Sequence, residues 1–236
     1  MSSLKDKVVI ITGAVGNLGR AVASRIQAQG GRMVLVDRSS VREAYGDLKS
    51  SNQHWLAGDI DLTDVKSVNT MMAEAHKRFG RLDGLVNTVG GFRGGKPVHE
   101  TDLAEWDFLY DINVRTTLNM CRAVIPYMLQ AQGGRIVNVA SRNAFQGSAN
   151  YAAYSATKTV VLRLTESMAG EYKARGINVN CIVPGTIDTP QNREAMPKAD
   201  FSTWVPPDDL AHVVAFLLSD EARSVTGAAV PVYGRS

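Results

Sequence analysis

Residues 8–19 read VVIITGAVGNLG: five β-branched residues in succession, then a turn in which glycine recurs at Gly13, Gly16 and Gly19. Such a run suits a strand, because β-branched side chains fit a pleated surface and the run has no side for water. The turn leads into an amphipathic helix. Strand, glycine-rich turn and helix in that order suit a diphosphate, which needs backbone free of intruding side chains and helix N-terminal amides to take its charge. Gly13, Gly16, Asn17, Leu18 and Gly19 are therefore the candidate phosphate cradle.

The next apolar run, MVLVD (33–37), ends in Asp37. An acid at the end of the second strand of a dinucleotide fold accepts hydrogen bonds from the adenosine ribose and repels a 2′-phosphate. Arg38 follows and can pair with such a phosphate instead. On balance NAD(H) is expected in preference to NADP(H).

Further runs at 54–58, 84–89, 135–140, 177–183 and 228–233 alternate with helical stretches of crossover length. That alternation predicts an α/β, doubly wound (Rossmann-type), mostly parallel seven-stranded sheet with helices on both faces. Val114, Leu118, Cys121, Ile125 and Met128 mark a buried helical stripe. With no repeat or linker, one domain over 1–236 is the economical reading. The chain has 44% hydrophobic and 21% charged residues, a net charge of +3 and scattered basic residues, which gives no case for nucleic acid or an anionic membrane. No apolar run approaches the ~20 residues that span a bilayer. Two cysteines in apolar runs and a start without a signal-peptide pattern predict a cytoplasmic protein. No metal site is expected.

Tyr154 and Lys158 lie four apart in a predicted helix and share a face, where an ammonium favours the phenolate. Seven tyrosines make such a pair alone weak evidence, and Tyr151, with Ser155 four later, has no lysine partner. The neighbours carry more weight. Ser141 ends RIVNVAS thirteen residues before Tyr154, and Asn113 lies in DFLYDINV.

With TGAVGNLG, DGLVNTVG and NCIVPGTIDT also in order, the chain resembles the short-chain dehydrogenase/reductase family from end to end. The resemblance implies an NAD(P)-dependent oxidoreductase that transfers a hydride between nicotinamide and a small carbonyl or alcohol. It makes Tyr154 the general acid/base, Lys158 the holder of the nicotinamide ribose that depresses the tyrosine pKa, Ser141 the carbonyl-orienting hydroxyl and Asn113 the holder of a relay water. Asp61 and Leu62 match the adenine-contacting segment, and Asn87 and Gly90 the stretch after the fourth strand. Pro184, Gly185, Ile187 and Thr189 match the segment that binds the carboxamide. A homodimer or homotetramer is expected, with apolar helices near 113–131 and 155–172 available for contacts.

Two departures stand out. Asn17 occupies the family's usual middle glycine, and a left-handed asparagine would keep the turn. The spacing is instead similar to that of the quinonoid dihydropteridine reductases, as are VGGFRGG (89–95) and DTPQNREAMPKADFSTW (188–204), within a substrate lid at 186–207. Those enzymes lack the family serine and helix asparagine, whereas this chain has both. Reduction of a quinonoid dihydropteridine or similar planar ring is the alternative, and a non-catalytic dinucleotide sensor is a third reading of another class. Phe92, Met196, Phe201 and Trp204 are candidates for an apolar pocket or for pinning the lid.

Overall fold

The computed structural model describes residues 4–235 apart from Asp47 and Lys49. Strands β1 (Val8–Thr12), β2 (Arg32–Val36), β3 (His54–Ala57), β4 (Gly84–Asn87), β5 (Gly134–Val139), β6 (Ile177–Pro184) and β7 (Ala229–Val232) form one seven-stranded sheet. Its order is β3-β2-β1-β4-β5-β6-β7, and every pairing is parallel. The helices are α1 (Asn17–Ala28), α2 (Val41–Tyr45), α3 (Val65–Phe79), α4 (Leu103–Tyr110), α5 (Thr116–Gln130), α6 (Ala152–Tyr172), α7 (Pro190–Ala195) and α8 (Pro207–Leu218).

Alternate residues of β1 enter separate cores on the two faces of the sheet. Val8 and Ile10 pack with α3 and α5 on one face, while Val9 and Ile11 pack with α1 and α8 on the other. A strand covered on both faces has no polar side, which is why VVIIT reads as a continuous apolar run. Burial of both faces also fixes register, because a one-residue slip would exchange the two cores.

The chain winds outward from β1 to β3, then returns to place β4 on the other side of β1. There the loops after β1 and β4 part and leave a crevice at the carboxyl ends of the strands. Gly13 turns the chain out of β1 with φ +62°. A methyl group on Gly19 would overlap the Gly13 carbonyl oxygen, so α1 sits against the turn at a distance only glycine permits. Asn17 is not left-handed as expected. It opens the first turn of α1, and the residue with positive φ in this glycine-rich turn is Gly13.

Asp37 and Ser141 lie just beyond β2 and β5 rather than ending them, so both project from the sheet edge. The stripe on α5 is buried at Val114, Cys121, Ile125 and Met128 and only partly covered at Leu118. Its helix does not start regularly: a π turn, Asp111–Arg115, joins α4 to α5. The ends of the segment 186–207 are zipped together, with Asp188 N–H donating to Val205 and Val205 N–H to Thr186.

Two glycine substitutions separate the effects of close approach and chain freedom. Gly19→Ala is expected to lower unfolding free energy by about 1–3 kcal/mol, as overpacking does. Gly170→Ala is expected to raise it by about 0.5–1 kcal/mol, since Gly170 is exposed within α6 with nothing within 4 Å of an added Cβ. Urea unfolding of both variants checks the contrast, and equal shifts would contradict the packing described.

Candidate active site

Ser141, Tyr154, Lys158 and Asn113 come from three places in the chain and meet at the carboxyl edge of the sheet. Ser141 follows β5 and caps a 3-10 turn by accepting the Asn143 N–H at 3.3 Å. Tyr154 stands in the first turn of α6, and its hydroxyl shares a hydrogen bond with the Ser141 side chain. Burial pushes the Tyr154 pKa above the ordinary 10.0, and the Ser141 bond opposes that shift.

Lys158 lies one helical turn later and is only 5% exposed. Its ammonium donates to the Val139 carbonyl at 3.1 Å, and Nζ is 5.9 Å from the centre of the Tyr154 ring. Burial lowers its pKa to about 8, against a smaller opposing influence from the Cys181 thiol. Burial leads the influences on the Tyr154 pKa, ahead of the Ser141 hydrogen bond. The ammonium is turned toward the end of β5, and desolvation governs both groups.

Asn113 is 1% exposed and acts as a clamp. Its Oδ1 accepts the Gly91 N–H and its Nδ2 donates to the Gly91 carbonyl, both at 3.0 Å, with Thr157 Oγ1 at 3.3 Å from Nδ2. The π turn is supported locally. Thr116 and Thr117 donate their hydroxyls to the carbonyls of Ile112 and Asn113, four residues earlier in each case. A methyl group at Gly90 would come within 3.0 Å of Asn113 Oδ1 and 3.1 Å of Lys158 Nζ. The loop after β4 is thus pressed between both side chains.

Beside this cluster lies a cleft of about 330 Å³ lined by Gly13, Val15, Gly16, Asp37, Ser39, Thr88, Val89 and Gly90. Its features fit a dinucleotide. No side chain caps the N-terminus of α1, so its amides remain available to an anion. Asp37 lines the cleft, accepting Val15 N–H and Ser39 N–H at 3.0 Å each and keeping lone pairs for further donors. Arg38 is exposed on the rim.

Several residues sit differently from expectation. The Leu62 side chain is buried in the core and the exposed Asp61 carboxylate accepts from Thr63, which leaves mainly the main chain there to meet a base. Asn119 on α5 holds that stretch by donating to the Leu62 carbonyl at 2.9 Å. The Asn87 side chain does not line the cleft: it is buried within the sheet, donating to Asn138 Oδ1 at 2.9 Å. Pro184 ends β6, Gly185 N–H donates to Val232, and Thr189 caps α7 by accepting Asn192 N–H at 3.2 Å. Ile187 bridges to Val205, and its carbonyl accepts from Asn192 at 2.8 Å.

The lid aromatics divide. Trp204 is buried and packs on Phe201 at 4.8 Å, with Arg193 over the other side of Phe201, so this pair pins the segment. Met196 is exposed, whereas Phe92 lies against Tyr154 at 5.0 Å and Tyr151 at 5.3 Å. Tyr151, dismissed by spacing, therefore belongs to the site's surroundings. Sequence reasoning also missed Thr12–Thr88 and the bond from Asn17 Nδ2 to Gln191 on α7 at 2.9 Å, because neither pair leaves a local pattern. Among the described residues no cluster of metal-ligating side chains occurs, and no helix is long and apolar enough to cross a membrane.

The family model described as short chain dehydrogenase matches residues 7–200. The chain belongs to that family. It is an NAD(P)-dependent oxidoreductase acting on hydroxyl and carbonyl groups. Among its relatives is 2-(S)-hydroxypropyl-CoM dehydrogenase 3 of Xanthobacter autotrophicus, 34% identical, with 98% of this chain and 96% of the relative aligned. The crystal structure of levodione reductase is similar at 33% identity and a TM-score of 0.88, covering 98% of this chain and 97% of that one. A 3-ketoacyl-(acyl-carrier-protein) reductase from Brucella melitensis, solved with NADH, is similar at 31% identity and a TM-score of 0.87, covering 99% and 100%.

Lys158 has a consequence for stability without cofactor. Its native pKa near 8 lies below the ordinary 10.5, so between those values the unfolded chain holds a proton that the native protein has released. Stability from this group therefore rises with pH across that window. Relative to Lys158→Met, the wild type is expected to gain unfolding free energy between pH 7.5 and about 9.5, measured by urea titration. A pH-independent difference would contradict the buried, desolvated lysine.

Proposed function

We propose that the enzyme interconverts a small ketone and its secondary alcohol with NAD(H), using Tyr154 as proton donor and acceptor. The observation that carries this reading is the Ser141–Tyr154 hydrogen bond beside the glycine-lined cleft. When bound, the dinucleotide supplies or accepts the hydride. The chain does the rest. Ser141 hydrogen-bonds the substrate oxygen as charge develops there. Tyr154, a phenol at neutral pH and pushed further from ionising by burial, gives that oxygen its proton in reduction and takes it back in oxidation.

Lys158 would grip the nicotinamide ribose and pass protons, its pKa near 8 keeping both forms accessible. The Asn113 side chain is committed to Gly91 and its main-chain carbonyl accepts the Thr117 hydroxyl, so a relay water held by Asn113 would take the second lone pair of that carbonyl. Main-chain amides from Gly13 to Gly19 would hold the diphosphate, with Gly90 and the segment Pro184, Gly185, Ile187 and Thr189 bordering the nicotinamide. Ser141 bonded to Tyr154 favours a carbonyl oxygen over a quinonoid ring, and a sensor would have no use for the pair. Exposed Leu103, Phe108, Tyr110 and Val160 on α4 and α6 support a homodimer or homotetramer. Buried, unpaired Cys121 and Cys181 suit a reducing compartment such as the cytoplasm.

Tyr154→Phe is expected to lower kcat by ~10²–10⁴-fold while leaving NADH affinity within about twofold, read by fluorescence titration. Full activity in that variant would end the assignment.

Asp37 should set cofactor preference. A 2′-phosphate would meet its carboxylate and forfeit ribose hydrogen bonds, so kcat/KM is expected to favour NADH over NADPH by ~10-fold or more. Asp37→Ala should narrow or reverse that ratio, leaving Arg38 free to pair with the phosphate. Equal kcat/KM for both cofactors in the wild type would contradict the preference.

A further inference from the structure

We propose that Phe92 and Tyr151 form a ring subsite, an aromatic wall that receives the face of a saturated cyclic ketone, or its alcohol, and aims its oxygen at Tyr154. This inference rests on the proposed role of Tyr154 and adds the substrate class that site would select.

The wall is built from a loop whose position is set on both sides of Phe92. Upstream, Asn113 clamps both polar groups of Gly91. Downstream, Gly95 N–H donates to the Asn150 carbonyl at 2.8 Å. Gly94 lies so close to Tyr151 that a methyl group there would overlap the ring at Cδ1. The Gly-Gly-Phe-Arg-Gly-Gly stretch thus lets bare backbone lie against Tyr151 and fixes Phe92 between its anchors. Arg93 is drawn to the other side, its guanidinium 3.6 Å from the centre of the Phe108 ring.

The three rings make a corner. Phe92 meets Tyr154 at 83° and Tyr151 at 38°, with centres 5.0 Å and 5.3 Å away. Aromatic contacts of this kind favour defined relative orientations, so the corner has a shape rather than merely an apolar character. Yet Phe92 remains 62% exposed. A residue that served only to pack the loop would be covered, as Trp204 is in the lid. Phe92 keeps an apolar face uncovered next to the proposed proton donor, and covering it would be favourable. A rigid saturated ring can cover that face without freezing bond rotations, whereas an open chain loses rotational freedom to reach the same contact.

Phe92→Ala, assayed with NADH on cyclohexanone and on 2-hexanone, tests the assignment. Because the two ketones have equal carbon number but differ in reactivity, each variant is compared with wild type on the same substrate. The loss of kcat/KM on cyclohexanone is expected to exceed that on 2-hexanone by about tenfold, mostly through KM. Phe92→Tyr, which keeps a ring, should restore most of it. A second measurement needs no turnover: cyclohexanone binding to Tyr154→Phe enzyme saturated with NADH should weaken about tenfold when Phe92→Ala is added. Equal losses on both ketones, failure of Phe92→Tyr to rescue, or unchanged cyclohexanone binding would overturn the ring subsite. Full activity of Tyr154→Phe would instead overturn the underlying reading, so the two failures are distinguishable.

Discussion

Thr88 Oγ1 donates to the Thr12 carbonyl at 2.6 Å, across the seam where β1 pairs with β4, and Thr88 N–H donates to Thr12 Oγ1 at 3.2 Å. This seam is where strand order reverses, so the two loops leaving it must diverge. One becomes the glycine turn and α1; the other becomes the Gly90–Gly95 stretch. The threonine pair holds their origins together, which makes the cleft between them a fixed feature of the sheet. From the β4 side, Asn113 and Lys158 bear on Gly90 and Gly91. From the β1 side, Asp37 accepts Val15 N–H at 3.0 Å. Cofactor cradle and reacting cluster are thereby tied to a single junction.

Burial dominates the electrostatics of the reacting cluster. Among the described residues Lys158 donates to one backbone acceptor, Val139, and no carboxylate is among the influences on its pKa. A desolvated ammonium with so little compensation costs stability, a feature expected of functional rather than structural lysines. Tyr154 is displaced in the opposite direction for the same reason. Desolvation therefore brings the two pKa values into inverted order, lysine near 8 and tyrosine above 10, before any ligand arrives. Lys158 keeps its bond to Val139 and Tyr154 its bond to Ser141, so each buried group makes few of the hydrogen bonds open to it.

Much of the architecture was legible because it rests on short-range pattern. The continuous β-branched runs marked strands buried on both faces, and the four-residue spacing of Tyr154 and Lys158 marked a shared helical face. What escaped depended on contacts between distant segments. Asn17 suggested a left-handed turn when read locally, but it opens α1 and reaches Gln191 in the lid. Asn87 matched a cofactor motif, but its side chain faces inward to Asn138 on β5. Tyr151 lacked a lysine partner and so looked idle; its neighbours are Phe92 and Gly94, more than fifty residues earlier. The clamp of Asn113 required the π turn, which no periodicity announces.

The central claim is that Ser141 and Tyr154 act on one substrate oxygen as a unit. A double-mutant cycle on ketone reduction, using Ser141→Ala, Tyr154→Phe and the double variant, tests it most directly. Groups that work together fail together, so the double variant should be slower than the more damaged single variant by less than about tenfold. Losses that multiply across the two sites would mean that serine and tyrosine act independently, and would contradict the account.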